Sequence, residues 1–376
     1  MKKRFLIPAV LCVALLGAGA AYALGGTASD PLISLDYLEG TYTDTVLDKT
    51  EDLLEDSDAD LLENALAELD ARLATIGVSP NAECAKSFTD RRFKQEDILM
   101  ASSGTSVIPL AGSVEVEFES GAIVDVTTGT TVASGTALTA NHRYMVAEDT
   151  TARFVTTSKT SVLQFMGYYA IAESSDTPDY NAMAEALKSL TLMRGSNTGF
   201  GSGFDLENAP TRGAALIMFI RMLGEEDEAL AFTGDIPFKD VAKDSTTYPY
   251  VAYAYHMGYT NGYSATTFRP KDKTNARQYT EFILRSMGYS SHENTELDGT
   301  LANAVNSGVI TAAEKAALEQ GSFLRADLVY LSFYALQAAL PSGDGTVLAD
   351  QLMEQDVFSY RDYQAALTYV TSDRIA

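Results

Sequence analysis

Four cations, Arg269, Lys271, Lys273 and Arg277, fall within nine residues with only Asp272 against them. The chain around them carries 27 Lys and Arg against 51 Asp and Glu, a formal charge of −24. A basic cluster in so acidic a chain points to contact with an anion; a solvated loop beside a helix cap is the plainer alternative. Two further arginines open apolar stretches of helical pattern, in Thr211-Arg212-Gly213-Ala214 and Leu324-Arg325-Ala326-Asp327. Thr274-Asn275-Ala276-Arg277 stands in the same place between them, which aligns Asn275 with the two arginines. A planar guanidinium holds a carboxylate through two parallel hydrogen bonds. The first turn of a helix adds oriented N–H groups and partial positive charge. Tyr248 and Tyr250 can lie along the apolar face of a sugar.

Other residues of suitable type fail on spacing. Asp56-Ser57-Asp58-Ala59-Asp60 begins like a calcium loop, but Leu61 and Ala67 occupy positions that need Gly and Glu. A capped turn is expected there instead. Gly199-Phe200-Gly201-Ser202-Gly203 follows no strand pattern and lacks the third glycine of a nucleotide loop, and Ser202 sits in no Gly-x-Ser-x-Gly elbow. His142 lies beside Arg143 and Tyr144 without a nucleophile motif, and Glu115, Glu117 and Glu119 simply alternate along one strand. Three His and two Cys do not suggest a zinc site. No metal, cofactor or catalysis is therefore expected. The charge of −24 disfavours nucleic acid and anionic membrane surfaces as partners.

Four blocks must position these residues. Residues 1–23 read as a signal peptide, with Lys2, Lys3 and Arg4 before an apolar run and Ala21-Tyr22-Ala23 as the cleavage pattern. The run is shorter than the ~20 residues of a spanning helix, so no membrane partner is expected once it is removed. Leu11 before Cys12 argues against lipidation, and Cys84 alone cannot close a disulfide. Residues 24–85 hold 15 acidic and 2 basic residues and predict a helical hairpin. Its first helix, near Asp44 to Glu55, carries Val46, Leu47, Leu53 and Leu54; the second sets Leu62, Leu66, Leu69, Leu73 and Ile76 on one face. Asp58 or Asp60 would cap that helix, and Gly77 lies near its end.

Residues 86–175 predict a small all-β sandwich or barrel. Val, Ile, Thr and Phe dominate from Arg92 to Tyr169, punctuated by Gly104, Gly112, Gly121, Gly129 and Gly135. Ser113 to Glu119 alternates polar and apolar residues, and Ser120-Gly121 and Thr128-Gly129 predict hairpin turns. Residues 176–376 return to helix in three copies, about 180–232, 233–290 and 291–376. Their first helices are expected at Met183 to Thr191, Tyr248 to Met257 and Leu301 to Ser307, and a further helix at Leu328 to Leu340. Phe204-Asp205-Leu206, Phe268-Arg269-Pro270 and Phe323-Leu324 precede the second helices. The fold class is thus multidomain α and β: acidic hairpin, β module, all-α triple repeat.

The second copy runs Pro237-Phe238-Lys239-Asp240-Val241, Tyr248, Ala252-Tyr253, Gly258-Tyr259-Thr260-Asn261-Gly262, Phe268-Arg269-Pro270 and Thr274. In this it resembles the S-layer homology (SLH) family, whose pattern is Phe-x-Asp-Val, an aromatic, Gly-x-x-x-Gly, Phe-x-Pro and Thr-Arg-Ala-Glu. The three copies together span residues 180–376, with copies one and three degenerate. The resemblance implies a three-fold spindle of helices with ligand grooves between repeats. It also implies a secreted protein held non-covalently at the cell wall of a Gram-positive-type bacterium by secondary cell-wall polysaccharide or another peptidoglycan-linked glycan. Such polymers often carry pyruvate ketals, which place a carboxylate on a sugar. Carried over position by position, the ligand-binding residues would be Thr211 and Arg212, Thr274 and Asn275, and Arg325 and Asp327. Tyr248, Arg269, Lys271, Lys273 and Arg277 join them. The β block is similar to small modules beside wall-anchoring repeats in clostridial surface proteins, which assigns it no activity. The expected function is wall anchoring. The alternative is an adhesin or carbohydrate-binding protein acting through the β module; a wall-acting enzyme is less favoured. Self-association in a surface layer stays open.

Overall fold

The computed structural model describes residues 40, 43–50, 61, 83–195, 203–291 and 297–375. The chain divides into two compact units, Met1–Ala71 and Arg72–Ala376. In the first, residues 43–50 are helical and hold Val46 and Leu47. The signal peptide, Leu53 and Leu54, the Asp56–Asp60 turn, the leucine stripe from Leu62 to Ile76 and Gly77 lie outside the described residues.

The second unit opens with ten strands: β1 Glu83–Lys94, β2 Ile98–Ser102, β3 Ser106–Ala111, β4 Val114–Glu117, β5 Ile123–Asp125, β6 Thr130–Val132, β7 Thr136–Ala137, β8 Tyr144–Val146, β9 Thr151–Thr156 and β10 Thr160–Ala172. They form one nearly closed antiparallel sheet in the order β6-β5-β8-β3-β10-β2-β9-β4-β7, with β1 along β10. Val114 and Val116 face the interior while Glu115 and Glu117 face out, as the alternation requires. Phe93, Leu99, Phe154, Leu163 and Phe165 fill the core. β10 joins the two wings, pairing β3 through Met166 and β2 from Tyr169 onward. Gly167 makes that corner at φ +124°, where a Cβ would stand 2.8 Å from the Thr105 Cα.

Thr128-Gly129 turns a hairpin between β5 and β6. Ser120-Gly121 does not. β4 pairs β7 and β9 while β5 pairs β6 and β8, so this turn crosses between wings. A Gly-containing turn reveals a change of direction but not the partner of the strand that follows.

The helical part holds α1 Tyr180–Ser189, α2 Arg212–Met222, α3 Glu226–Ala231, α4 Tyr248–His256, α5 Ala276–Ser286, α6 Thr300–Asn306, α7 Ala312–Leu318, α8 Arg325–Ala335, α9 Leu348–Glu354 and α10 Tyr360–Leu367. The helices expected to start at Met183, Tyr248 and Leu301 start at Tyr180, Tyr248 and Thr300. The helix expected from Leu328 to Leu340 instead runs from Arg325 to Ala335, because Asp327 accepts the Leu324 N–H at 2.9 Å and caps it earlier. Helices α2, α5 and α8 touch one another around Phe219, Tyr279 and Ser332. Tyr279 is fully buried and its hydroxyl lies 2.7 Å from Ser332 Oγ.

Cap geometry shifts one register. Thr211 caps α2 by accepting the Ala214 N–H, and Asn275 caps α5 by accepting the Gln278 N–H. Asn275 therefore matches Thr211 and Leu324, and Ala276 matches Arg212 and Arg325. Thr and Asn are both good caps, so Thr274-Asn275 offered two registers; the structure uses the second, and Thr274 is buried with its Oγ1 on Gln278.

Two ion pairs fasten the barrel to the helices: Arg92 of β1 with Glu207 at 3.2 Å, and Lys159 with Asp327. The Arg92 and Glu207 side chains are only 9% and 7% exposed. Removing one partner would strand a buried charge, so Arg92→Ala should cost about 3–5 kcal/mol in urea unfolding. Arg91→Ala, which breaks the exposed pair with Glu173 at 2.9 Å, should cost less than ~1 kcal/mol. Equal losses from the two variants would refute the buried fastening.

Candidate functional site: an arginine-floored cleft

Arg212 begins α2, and its backbone docks on the loop of the second copy. Its N–H donates to Asp272 O at 2.8 Å, and that of Gly213 to Pro270 O at 2.9 Å. The side chain follows inward. Nε donates to Phe268 O at 2.9 Å, and Nη2 reaches Gly262 O at 3.3 Å and Thr260 Oγ1 at 3.5 Å. The guanidinium lies 4.8 Å from the Phe268 ring centroid and 5.6 Å from that of Phe282. Nη1 has no protein acceptor among the described residues. Nor does any described carboxylate stand within ion-pair distance, although Arg212 is only 5% exposed.

Burial, with the charge of Arg285 added, pushes the Arg212 pKa down to about 10. Arg285 is lowered by burial too, but Glu281 opposes this through a 3.1 Å ion pair. Glu281 also accepts from Thr300 Oγ1 at 2.7 Å and from Ser290 Oγ. Arg277 pairs with Asp298 at 2.6 Å on the rim. Among the described residues these pairs offset each other, and Arg212 stands without a carboxylate partner.

Above it opens a cleft of about 800 Å³. Gln278, Glu281, Phe282 and Arg285 form one wall, at positions i, i+3, i+4 and i+7 of α5. Asn261, Gly262, Tyr263 and Ser264 form the other. Gly262 has φ +81°, and a Cβ there would meet Phe238 Cε1 at 2.3 Å. Tyr263 is 53% exposed, with the Arg269 guanidinium 3.6 Å from its ring centroid. Arg269 is held at φ +60°, where Asp240 accepts its N–H at 2.7 Å and that of Phe268 at 2.8 Å. Asp240, from the Phe-x-Asp-Val segment, thus fixes the loop that carries the aromatic wall.

Of the residues expected from sequence, Arg212 alone lines this cleft. Arg269 braces Tyr263, Lys273 Nζ donates to Ala209 O at 2.6 Å, and Lys271 is exposed. Thr211 and Asn275 are caps, and Thr274 packs beneath. The hydroxyl of Tyr248 points to Gly234 O at 3.5 Å and that of Tyr250 donates to Glu226 at 2.6 Å, so neither offers a sugar platform at the cleft. Arg325 Nε donates to Phe204 O at 2.9 Å, and Asp327 receives Lys159. Sequence reasoning missed Tyr263, Gln278 and Arg285. The helical spacing of Gln278, Glu281 and Arg285 was the available signal for the last two.

In the barrel, His142 Nδ1 lies 2.8 Å from Asp125 Oδ2, and Asp125 Oδ1 accepts the Thr127 N–H at 2.9 Å. That pair braces the β5–β6 hairpin. A second cleft, about 640 Å³, is lined by Glu117, Phe118, Glu119, Asp149 and Arg153. No metal-holding group of His, Cys, Asp and Glu occurs among the described residues.

Comparison with known proteins bears on the same stretch. The family model of the S-layer homology domain matches residues 237–275, which run from the Phe-x-Asp-Val segment to the cap of α5. A cell surface protein of Thermoanaerobacter kivui is 27% identical over 179 residues, covering 46% of this chain and 23% of the relative. The chain thus spans less than a quarter of that relative's length. Neither similarity indicates an enzyme family. The segment that builds the Tyr263 wall and grips Arg212 is thus the part of this chain that matches the S-layer homology domain.

Proposed function

We propose that the protein is exported and held non-covalently at the bacterial cell wall, with the Arg212 cleft binding an anionic sugar of a wall glycan. Residues 1–23 serve as the export leader, the stretch from 24 to the start of β1 at Glu83 as an acidic helical segment, 83–175 as the barrel and 176–376 as the anchoring domain. One observation carries the reading: a buried guanidinium without a described carboxylate partner floors an open cleft in a chain of charge −24. Holding that cation in place opposes folding by on the order of 3 kcal/mol, given its fall to about 10. A ligand carboxylate would offset the cost. Tyr263 can meet the apolar face of the same sugar, while Asn261, Ser264 and Gln278 supply hydrogen bonds to its hydroxyls. A pyruvate ketal has this chemistry. The barrel cleft supports a second reading, a surface adhesin whose receptor contacts Phe118 and its polar neighbours.

Sedimentation with purified walls, before and after chemical removal of the secondary polysaccharide, tests the assignment. Arg212→Ala should weaken binding about tenfold to a hundredfold, the loss of one charged hydrogen-bond partner. Arg277→Ala should stay within about threefold, since its exposed pair contributes little. Folded Arg212→Ala protein that binds like the parent would exclude the cleft.

The pH dependence has a definite sign. A depressed basic group is charged below its folded value, so binding should be flat between pH 6 and 9 and decline as pH rises through about 10. Binding that instead falls between pH 6 and 8 would implicate a histidine and not Arg212.

A further inference from the structure

Three long helices begin at equivalent places, and their first residues are Arg212, Ala276 and Arg325. Each arginine uses Nε in the same way, on the carbonyl of a phenylalanine in another copy's loop: Phe268 for Arg212 and Phe204 for Arg325, both at 2.9 Å. The surroundings then diverge. The loop that Arg212 grips is wet, with Arg269, Lys271, Asp272 and Lys273 exposed. The loop that Arg325 grips is covered: Phe204, Asp205 and Leu206 are buried, and the Glu207 side chain is 7% exposed. The cover comes from the barrel. Arg92 of β1 pairs with Glu207 and stands 5.9 Å from the Phe204 ring centroid, while Lys159 takes the Asp327 carboxylate.

Charge diverges in the same direction. Arg325, lowered by burial, lies in the mixed field of the Asp205 and Glu207 carboxylates and the Arg221 and Arg92 cations, whereas Arg212 feels the Arg285 cation and pairs with no described carboxylate. The second start has Ala276 in place of the arginine, and the Arg277 beside it is paired with Asp298 at 2.6 Å. An anionic sugar entering at Arg325 would compete with two resident carboxylates and with the docked barrel. At Ala276 it would find no guanidinium in the Arg212 position, and the neighbouring Arg277 is already paired with Asp298.

We infer that the barrel is the resident partner of the Arg325 motif, so that the three-copy domain presents one anion site, at Arg212, and binds wall glycan monovalently. The inference rests on the reading of the Arg212 cleft given above. Attachment then gains nothing from avidity between grooves, and a single substitution suffices to release the protein. The barrel is in this sense part of the anchoring device, because it takes up a motif that would otherwise accept ligand.

The test is a titration calorimetry experiment on the purified protein with a methyl hexopyranoside carrying a 4,6-pyruvate ketal. One mole of probe should bind per mole of protein, binding should weaken at least about tenfold in Arg212→Ala, and it should change less than about twofold in Arg325→Lys. The lysine keeps the charge at position 325 and protects folding, and thermal melts confirm that both variants are folded. The parent's stoichiometry needs no variant at all. Two or more moles bound, with one retained in Arg212→Ala, would overturn monovalency while leaving the Arg212 site standing. One mole lost only in Arg325→Lys would overturn both, as would no binding by the parent.

Discussion

The contact on which the rest depends is the Arg212 guanidinium, held between Phe268 and Phe282 with Nε on the Phe268 carbonyl. It ties the start of α2 to the loop before α5 and at the same time sets a charge with no described carboxylate partner at the base of a cleft. Its position is overdetermined. Backbone bonds at Arg212 and Gly213 fix the helix start, Gly262 admits the close approach of Phe238, and Asp240 fixes the loop from the other side. The site is made from the packed contact between α2 and the loop before α5.

The starts of α2, α5 and α8 show how one kind of contact diverges. All three keep an apolar helix and a capped start, which packing demands. The residue after the cap is free to vary once the joint has other support. In α5 it is Ala276, and in α8 the arginine is retained but buried in a mixed field of carboxylates and cations beside the barrel. A tail residue offers a parallel: Arg374 reaches Glu314 with Nε at 2.6 Å and Nη2 at 2.8 Å and stacks over Tyr334. On α8, Tyr334 occupies the turn where α2 has Arg221 and α5 has Arg285. The cation absent from the helix is supplied by the C-terminal segment, and Tyr330 completes the set by donating to Glu314 at 2.7 Å.

Much of this was legible in the residues. The change from period-two to helical patterning located the barrel and the helices that follow it, and Thr211-Arg212 and Phe268-Arg269-Pro270 marked Arg212 and its loop. Local signals worked where the cause was local. They failed where the cause was a partner distant in sequence. Ser120-Gly121 reads as a hairpin because nothing nearby reveals that β4 and β5 pair elsewhere. Arg269 and Lys273 read as ligands because their bonds to Tyr263 and Ala209 depend on the folded loop. Tyr248 and Tyr250 read as a platform, yet their hydroxyls turn to Gly234 and Glu226. Tyr263 escaped notice because its exposure, and not its neighbours in sequence, sets it apart.

The central claim is that Arg212 is a cation awaiting a carboxylate. A crystal structure of the protein with the pyruvate-ketal glycoside tests it most directly. The account predicts the ketal carboxylate about 2.8 Å from the Arg212 guanidinium, with the sugar ring against Tyr263. A carboxylate bound at Arg325, in the barrel cleft or on the exposed lysines, with the Arg212 cleft left open, would contradict it.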